Sequence, residues 1–183
     1  MPNYGIGLGI GLGLRAAKTI QAGITYLPGI VESVYTGYFN DDVNWFSTAT
    51  RSSSAVITSL NDILVPTTTS YQTIGYFQPP VNGLYTFYLA TDDAGYLWIG
   101  DTAITGFTTS NANINIGGPH GTRESSFNAA YVPGFLLPIR IQNGNNGGPG
   151  VAIFSYSVSG PTPIAKTSDL TGVVFYNKAT NGF

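Results

Sequence analysis

The 183-residue sequence has no cysteine, a single histidine (His120) and two glutamates (Glu32 and Glu124). Without cysteine, neither a disulfide nor a thiolate metal site can form. A Ser-His-Asp arrangement would depend on His120 alone, and no G-x-S-x-G motif surrounds a serine. The paired acids of a glycoside hydrolase are expected on different strands rather than as sequence neighbours. We therefore predict that the protein is not an enzyme.

Charged residues are also scarce, at 9% of the sequence, and the formal net charge is -2. A nucleic-acid-binding protein would need lysine and arginine clustered on one face, whereas seven such residues are spread over this chain. No run of about 20 apolar residues is available to span a bilayer. We therefore predict no nucleic-acid partner and no membrane span.

The sequence is instead rich in residues typical of strands and turns, with 12 tyrosines, 10 phenylalanines, 24 glycines and 11 prolines. Aromatic and β-branched residues favour strands, and frequent Gly and Pro mark the turns between them. Short apolar or alternating runs predict strands at Val31–Phe39, Ala55–Val65, Tyr71–Phe77, Leu84–Ala90, Tyr96–Ile99, Leu137–Gln142 and Ala152–Val158. Residues 108–124 are predicted to be a loop. This pattern predicts an all-β fold, an antiparallel β-sandwich.

We divide the chain into a Gly-rich N-terminal arm and connector (1–30), a β-sandwich (31–160) and a C-terminal tail (161–183). In the arm, every second residue from Gly5 to Gly13 is glycine. The arm is a poor match to a signal peptide, because no basic residue precedes it and glycine is too frequent. Two interpretations remain open. The arm is flexible, or it becomes ordered against a neighbouring copy or a capsid or fibre protein.

Two adjacent aspartates, Asp92 and Asp93, lie between two apolar runs, although acidic residues are rare here. Carboxylates are oxygen donors of the kind that Ca²⁺ prefers. Neighbouring side chains of a regular strand point to opposite faces, so the two can share one ion only across an unusual backbone, such as a cis peptide. The alternative is a solvated turn with Gly95. For a second pair, Asp41 and Asp42, we favour a solvated loop over a site.

The Gly/Asn-rich segment 143–150 offers further calcium ligands. Asn145 has a side-chain oxygen, and the flexible backbone allows the carbonyl groups of Gly147 and Pro149 to turn towards an ion. Taken alone, this segment would be interpreted as a flexible hairpin turn. Together with the Asp pair, it forms the second half of a hypothetical calcium site.

The segment Asp92–Gly100 resembles the DD-x-x-x-L-W-I-G signature of protective-antigen-like (PA14) domains, especially their GLEYA and flocculin lectin branch. Four further segments resemble parts of this family in the same order: 80–87, 120–123, 137–141 and 145–150. Together these segments extend over about residues 31–160, which makes the resemblance fairly specific for the fold.

The resemblance implies a jelly-roll-like β-sandwich with a calcium-dependent sugar site. In the lectin branch, two aspartates bind Ca²⁺ across a cis peptide, an asparagine side chain and two backbone carbonyls complete the protein ligands, and sugar hydroxyls occupy the open positions. Transferred to this sequence, the metal ligands are Asp92, Asp93, Asn145, Gly147 and Pro149. The implied carbohydrate-binding residues are Asp92, Asp93, His120, Arg123 and Asn146.

The resemblance therefore predicts a lectin- or adhesin-like module that attaches to cell-surface or cell-wall glycans from an extracellular cell or virion surface. The sequence departs from fungal adhesins of this type because it lacks cysteine and a recognisable signal peptide. Similar domains occur in virion proteins of large DNA viruses and in bacterial and phage surface proteins. The alternative prediction is a structural virion component, such as a minor capsid, decoration or fibre protein, with or without glycan binding.

Overall fold

The computed structural model of the protein describes residues 24–170, 174–178 and 183. The elements of this part are β1 (Tyr26–Pro28), β2 (Ile30–Thr36), β3 (Arg51–Ile57), β4 (Asn61–Val65), β5 (Thr69–Phe77), β6 (Gly83–Asp92), β7 (Gly95–Ile99), α1 (Asp101–Ile104), β8 (Ile114–Ile116), β9 (Arg123–Tyr131), β10 (Leu137–Asn145), β11 (Gly150–Ser159), β12 (Ile164–Thr167) and β13 (Phe175–Lys178). Most of the predicted Gly-rich arm falls in residues 1–23 and lies outside the described residues.

The strands form two antiparallel sheets. In the eight-stranded sheet the order is β1-β13-β5-β10-β7-β8, while β2 pairs with β5 and carries β3 on its other side. The five-stranded sheet has the order β12-β11-β6-β9, and β4 pairs with β11. The predicted antiparallel β-sandwich is confirmed. Because β6 and β7 belong to different sheets, the Asp92–Asp93 pair lies where the chain crosses from one sheet to the other.

The main core lies between the sheets and is built by alternate residues of the central strands. Tyr85, Phe87 and Leu89 of β6 are fully buried in it, as the period of two in a strand predicts. The same alternation places Ile139 and Ile141 of β10 in this core. Burying one large apolar side chain contributes about 1.5–3 kcal/mol relative to leaving it exposed.

A second apolar layer covers the outer face of the eight-stranded sheet. Residues 37–49 contribute Phe39 to this layer, and β7 contributes Tyr96 and Trp98. Because Leu97 and Ile99 face the main core at the same time, β7 is buried on both faces. Burial on both faces explains why β7 has a continuous apolar sequence instead of an alternating one.

The observed elements differ from the predicted ones in several places. The predicted strand Ala55–Val65 is two strands, β3 and β4, which belong to different sheets. The predicted loop 108–124 contains β8 and the start of β9. Strands β1, β12 and β13 lie outside residues 31–160, so the sandwich extends beyond the predicted limits on both sides. Within the described ranges, no helix has both the length and the apolar character needed to cross a bilayer.

Candidate functional site

Asp92 and Asp93 form the crossover between β6 and β7, and the peptide bond between them is cis, the geometry that the resemblance implies. Asp92 is partly exposed at the end of β6, whereas Asp93 is only 6% exposed. The turn also requires glycine at position 95, because a Cβ atom on Gly95 would lie 2.4 Å from Cγ2 of Thr91. The local backbone therefore brings both carboxylates to one end of the sandwich.

The Asp93 carboxylate connects the two loops that the sequence assigned to the site. Its Oδ1 accepts the backbone N–H of His120 at 2.7 Å, and its Oδ2 accepts the backbone N–H of Asn146 at 2.7 Å. The backbone adds a further connection, because Asp93 N–H donates to the Gly144 carbonyl at 3.1 Å. The 117–123 and 143–150 segments thus meet at Asp93.

Three aspartates hold alternate residues of the loop that precedes β9. Asp41 accepts the Gly118 N–H at 2.9 Å, Asp93 accepts the His120 N–H, and Asp92 accepts the Thr122 hydroxyl at 3.3 Å. We interpreted Asp41 as part of a solvated loop, but its carboxylate contacts this second loop. Only the position of Asp41 in three dimensions reveals that role, because Asp41 and Gly118 are 77 residues apart.

Two tyrosines lie near the acidic groups of this region. Burial, followed by the charges of Asp41 and Asp93, raises the pKa of Tyr38 to about 12. Burial and then a hydrogen bond to Asp41 raise the pKa of Tyr96. The Tyr38 hydroxyl is buried and has no hydrogen-bond partner within the described structure, so a polar group that could take a ligand or water remains beside the aspartates.

Asn145 is completely buried at the end of β10, and its amide orientation is fixed. Its Nδ2 donates to the carbonyls of Val65 (2.8 Å) and Gly148 (3.0 Å), while its Oδ1 accepts the Gly147 N–H at 2.9 Å. Gly150 permits this packing, because a Cβ atom there would lie 2.6 Å from Nδ2 of Asn145. The Asn145 oxygen retains acceptor capacity beyond its bond to Gly147.

The other residues assigned by the resemblance lie around this centre. The His120 ring contacts the carbonyls of Gly121 (2.8 Å) and Ile116 (3.4 Å). Arg123 is exposed at the start of β9, where it pairs with Thr91 next to the aspartates. Asn146, Gly147 and Pro149 are exposed in the tight turn between β10 and β11.

The chemistry of these donors fits calcium. The described residues contain no group of three or more His, Asp or Glu side chains able to hold a metal ion, so any site must include amide or backbone oxygens. Two carboxylates, the Asn145 amide and turn carbonyls form an all-oxygen set of the kind that Ca²⁺ takes. Among the described residues the ion pair is between Lys166 and Glu124, and Asp93 has no cationic partner. A buried carboxylate without a counter-charge is costly, and a bound cation would offset that cost.

Ser70 holds the Asp41 segment against the sheet, so Ser70→Ala is expected to lower the free energy of unfolding by about 1–2 kcal/mol. Ser70 is completely buried, and its Oγ accepts the Phe39 N–H at 3.0 Å and donates to the Gly37 carbonyl at 2.7 Å. The substitution leaves both backbone groups without this partner. Urea unfolding measures the change.

The matched control is Ser52→Ala. Ser52 is exposed and its hydroxyl contacts only Thr36 Oγ1, at 2.9 Å, among the described residues. We expect the free energy of unfolding to change by no more than about 0.5 kcal/mol at this surface position. Equal stabilities of the two variants would contradict an anchoring role for Ser70.

A protein-family model matches the part of the chain that contains this site. The model of the GLEYA domain matches residues 69–158, which include the Asp pair, the loop before β9 and the β10–β11 turn. The predicted resemblance to this family is confirmed. The GLEYA match begins at β5 and ends in β11, so it contains the strands that position the site. No curated protein sequence matches the chain.

Solved structures share the fold of this GLEYA-like domain. The A domain of epithelial adhesin 6 from Candida glabrata, in complex with Galb1-3GlcNAc, has a TM-score of 0.63 and 17% identity over 82% of this chain and 88% of the adhesin chain. A subtype-switched epithelial adhesin 9 A domain from the same organism, in complex with beta-lactose, has a TM-score of 0.66 and 14% identity over 87% and 92%. A PA14 sugar-binding domain from an RTX adhesin has a TM-score of 0.57 and 10% identity over 76% and 96%. At these identities, the likeness establishes the fold.

Proposed function

We propose that the protein is a calcium-dependent carbohydrate-binding module. The observation that carries this proposal is the buried Asp93 carboxylate, which joins both site loops and has no cationic partner among the described residues. Asp92, Asp93 and the Asn145 side chain, with the carbonyls of Gly147 and Pro149, would hold the ion. Bound calcium would supply positive charge and open coordination positions that accept sugar hydroxyls.

The protein groups around the ion would orient the sugar. Arg123 and Asn146 are exposed beside the aspartates and offer hydrogen-bond donors. His120 is fixed by its own ring contacts and by its N–H bond to Asp93, so it would act as a wall of the site. The two adhesin domains in complex with Galb1-3GlcNAc and beta-lactose support a glycan as the ligand class. The same relatives support placement on an extracellular surface.

The test is calorimetry with beta-lactose and Galb1-3GlcNAc, preceded by a glycan array to extend the choice of sugar. We expect saturable binding in calcium, loss of binding in EGTA, and recovery when calcium is restored. Magnesium at the same concentration is the ion control, because its smaller and stricter coordination suits this donor set less well. Absence of binding to any arrayed glycan in calcium would refute the proposal.

The alternative role as a structural virion component stays a prediction. It depends mainly on residues 1–30, of which 1–23 lie outside the described residues. Deletion of residues 1–14 should block incorporation into a particle if the arm is an assembly element, while the sandwich remains folded. The absence of enzymatic activity likewise stays a prediction, and the named relatives are adhesin and sugar-binding domains.

A further inference from the structure

A cavity lies on the outer face of the eight-stranded sheet, beside the segment 43–47. It has a volume of about 220 Å³, and its lining includes Arg140 of β10 together with Asn44, Gln72 and Phe107. Because Ile139 and Ile141 face the main core, Arg140 points to the opposite face. It is five residues before Asn145, which corresponds to roughly 17 Å along an extended strand.

The Arg140 guanidinium is buried, at 7% exposure, and has no acidic partner in the described structure. Its Nε donates to the Ala103 carbonyl at 2.8 Å, and its Nη1 donates to Gln72 Oε1 at 2.6 Å. Phe107 covers the guanidinium with its ring centroid 4.0 Å away. No described residue accepts a hydrogen bond from Nη2, so the guanidinium keeps donors for a ligand in the cavity.

The group remains charged at neutral pH. Burial lowers the pKa of Arg140 to about 10, which is still well above 7. A buried charge without a counter-charge is unfavourable, although the hydrogen bonds and the contacts with the rings of Phe107 and Phe183, at 4.0 and 5.3 Å, offset part of that cost. An anion in the cavity would supply the missing counter-charge.

We propose that this cavity binds a single carboxylate group. One guanidinium matches one negative charge, and its planar donors match the two oxygens of a carboxylate. The apolar lining residues Val43, Phe46 and Phe107 would contact the apolar part of the carrier. The small volume limits the bound part to a few atoms beyond the carboxylate.

The carboxylate could belong to an acidic sugar or to an acidic amino acid. Three probes, each with one carboxylate, separate these sources: acetate as the bare group, glucuronate as the sugar form and the α-amide of N-acetylglutamate as the peptide form. Acetamide, which has the shape of acetate without its charge, is the neutral control. All three carboxylates are expected to bind, and the tighter of the sugar and peptide forms identifies the carrier.

The experiment is an NMR titration of the Nε–H signal of Arg140, assigned by its loss in Arg140→Lys. We expect saturable shifts with acetate, with Kd on the order of 1–10 mM for so small a ligand, and none with acetamide. Arg140→Lys keeps the charge but loses the planar donor arrangement of the guanidinium, so its acetate affinity should be at least about fivefold weaker. Because this variant has no Arg140 signal, its acetate binding is measured from the backbone signals of the cavity residues. Arg51→Lys, at an exposed arginine on β3, should leave acetate binding unchanged.

The titration is performed with and without calcium, because the proposed calcium site and this cavity are separate. Equal acetate affinity in both conditions is expected, so this proposal can fail or succeed independently of the proposed sugar site. Equal shifts with acetate and acetamide, unsaturated shifts, or unchanged acetate binding in Arg140→Lys would each overturn it.

Discussion

Replacing Asp93 by asparagine is expected to reduce calcium affinity on the order of 100-fold or more and to abolish calcium-dependent sugar binding. The substitution removes one of two carboxylate charges, and calcium affinity depends strongly on the number of charged ligands. It also puts an amide NH₂ opposite the backbone N–H of either His120 or Asn146, each now 2.7 Å from a carboxylate oxygen. One loop would therefore lose its anchor. Calcium calorimetry and sugar titration measure the two effects separately.

The matched control is Asp42→Asn, which makes the same change of charge in an exposed turn. The Asp42 carboxylate accepts the Asn44 N–H at 3.0 Å within that turn, and we assign it no role in the site. Its calcium affinity should equal that of the wild-type protein. If Asp93→Asn, with an unchanged circular dichroism spectrum, binds calcium as tightly as the wild type, Asp93 is not a ligand and the proposed site is wrong.

The contacts of Asp93 couple loop position to the proposed metal site. The hydrogen bonds from the backbone N–H groups of His120 and Asn146 fix both loops at the Asp93 carboxylate. Loops that are fixed by such contacts reduce the ordering cost of binding. Asp41 extends the same effect to Gly118, although it lies outside the residues that the family signature covers. We therefore regard Asp41 as a positioning residue for the loop rather than as a metal ligand.

The parts of the fold with strong side-chain alternation could be predicted from the sequence. Tyr85, Phe87 and Leu89 share one face because neighbouring strands bury that face. Strand β9 could not be recognised, since it lies at the edge of its sheet, has half-buried rather than fully buried positions on its inner face, and consists mostly of serine, asparagine and alanine. The break between β3 and β4 was also missed, although Ser59, Asn61 and Asp62 are typical of turns and mark it in the sequence.

In the candidate site, too, some residues could be predicted from the sequence and others only from the three-dimensional structure. Asp92, Asp93 and Asn145 could be predicted as site residues because a short signature and a Gly/Asn-rich turn mark them in the sequence. Asp41 and Arg140 were not identified, because their roles depend on contacts with residues distant in sequence. Arg140 is one residue of an alternating strand, and only the packing of Phe107 and Gln72 around it shows that it is buried without an acidic partner.

Glu32→Gln is expected to raise the free energy of unfolding at pH 8 by about 2–3 kcal/mol and to leave it nearly unchanged at pH 4. Burial, with repulsion from Asp62 as a second cause, raises the pKa of Glu32 from its ordinary value of 4.5 to about 7. Between these values the folded protein keeps a proton that the unfolded chain has released. Stability therefore falls as the pH rises from about 4.5 to 7, and the full difference corresponds to at most about 3 kcal/mol. Glutamine does not ionise, so the variant does not lose this stability as the pH rises.

Urea unfolding of the wild type and of Glu32→Gln across pH 4–8, without calcium, measures this effect. The difference between their free energies of unfolding isolates Glu32, because the other titrating groups contribute equally to both proteins. The control is Glu124→Gln, because Glu124 is exposed and paired with Lys166 at 2.6 Å. Loss of such a surface pair changes stability by at most about 1 kcal/mol, and it should not stabilise the protein at pH 8. Glu32 lies on β2 of one sheet and Asp62 on β4 of the other, so their repulsion acts across the sandwich. Parallel pH curves for Glu32→Gln and the wild type would show that Glu32 is ionised in the folded protein at the same pH as in the unfolded chain.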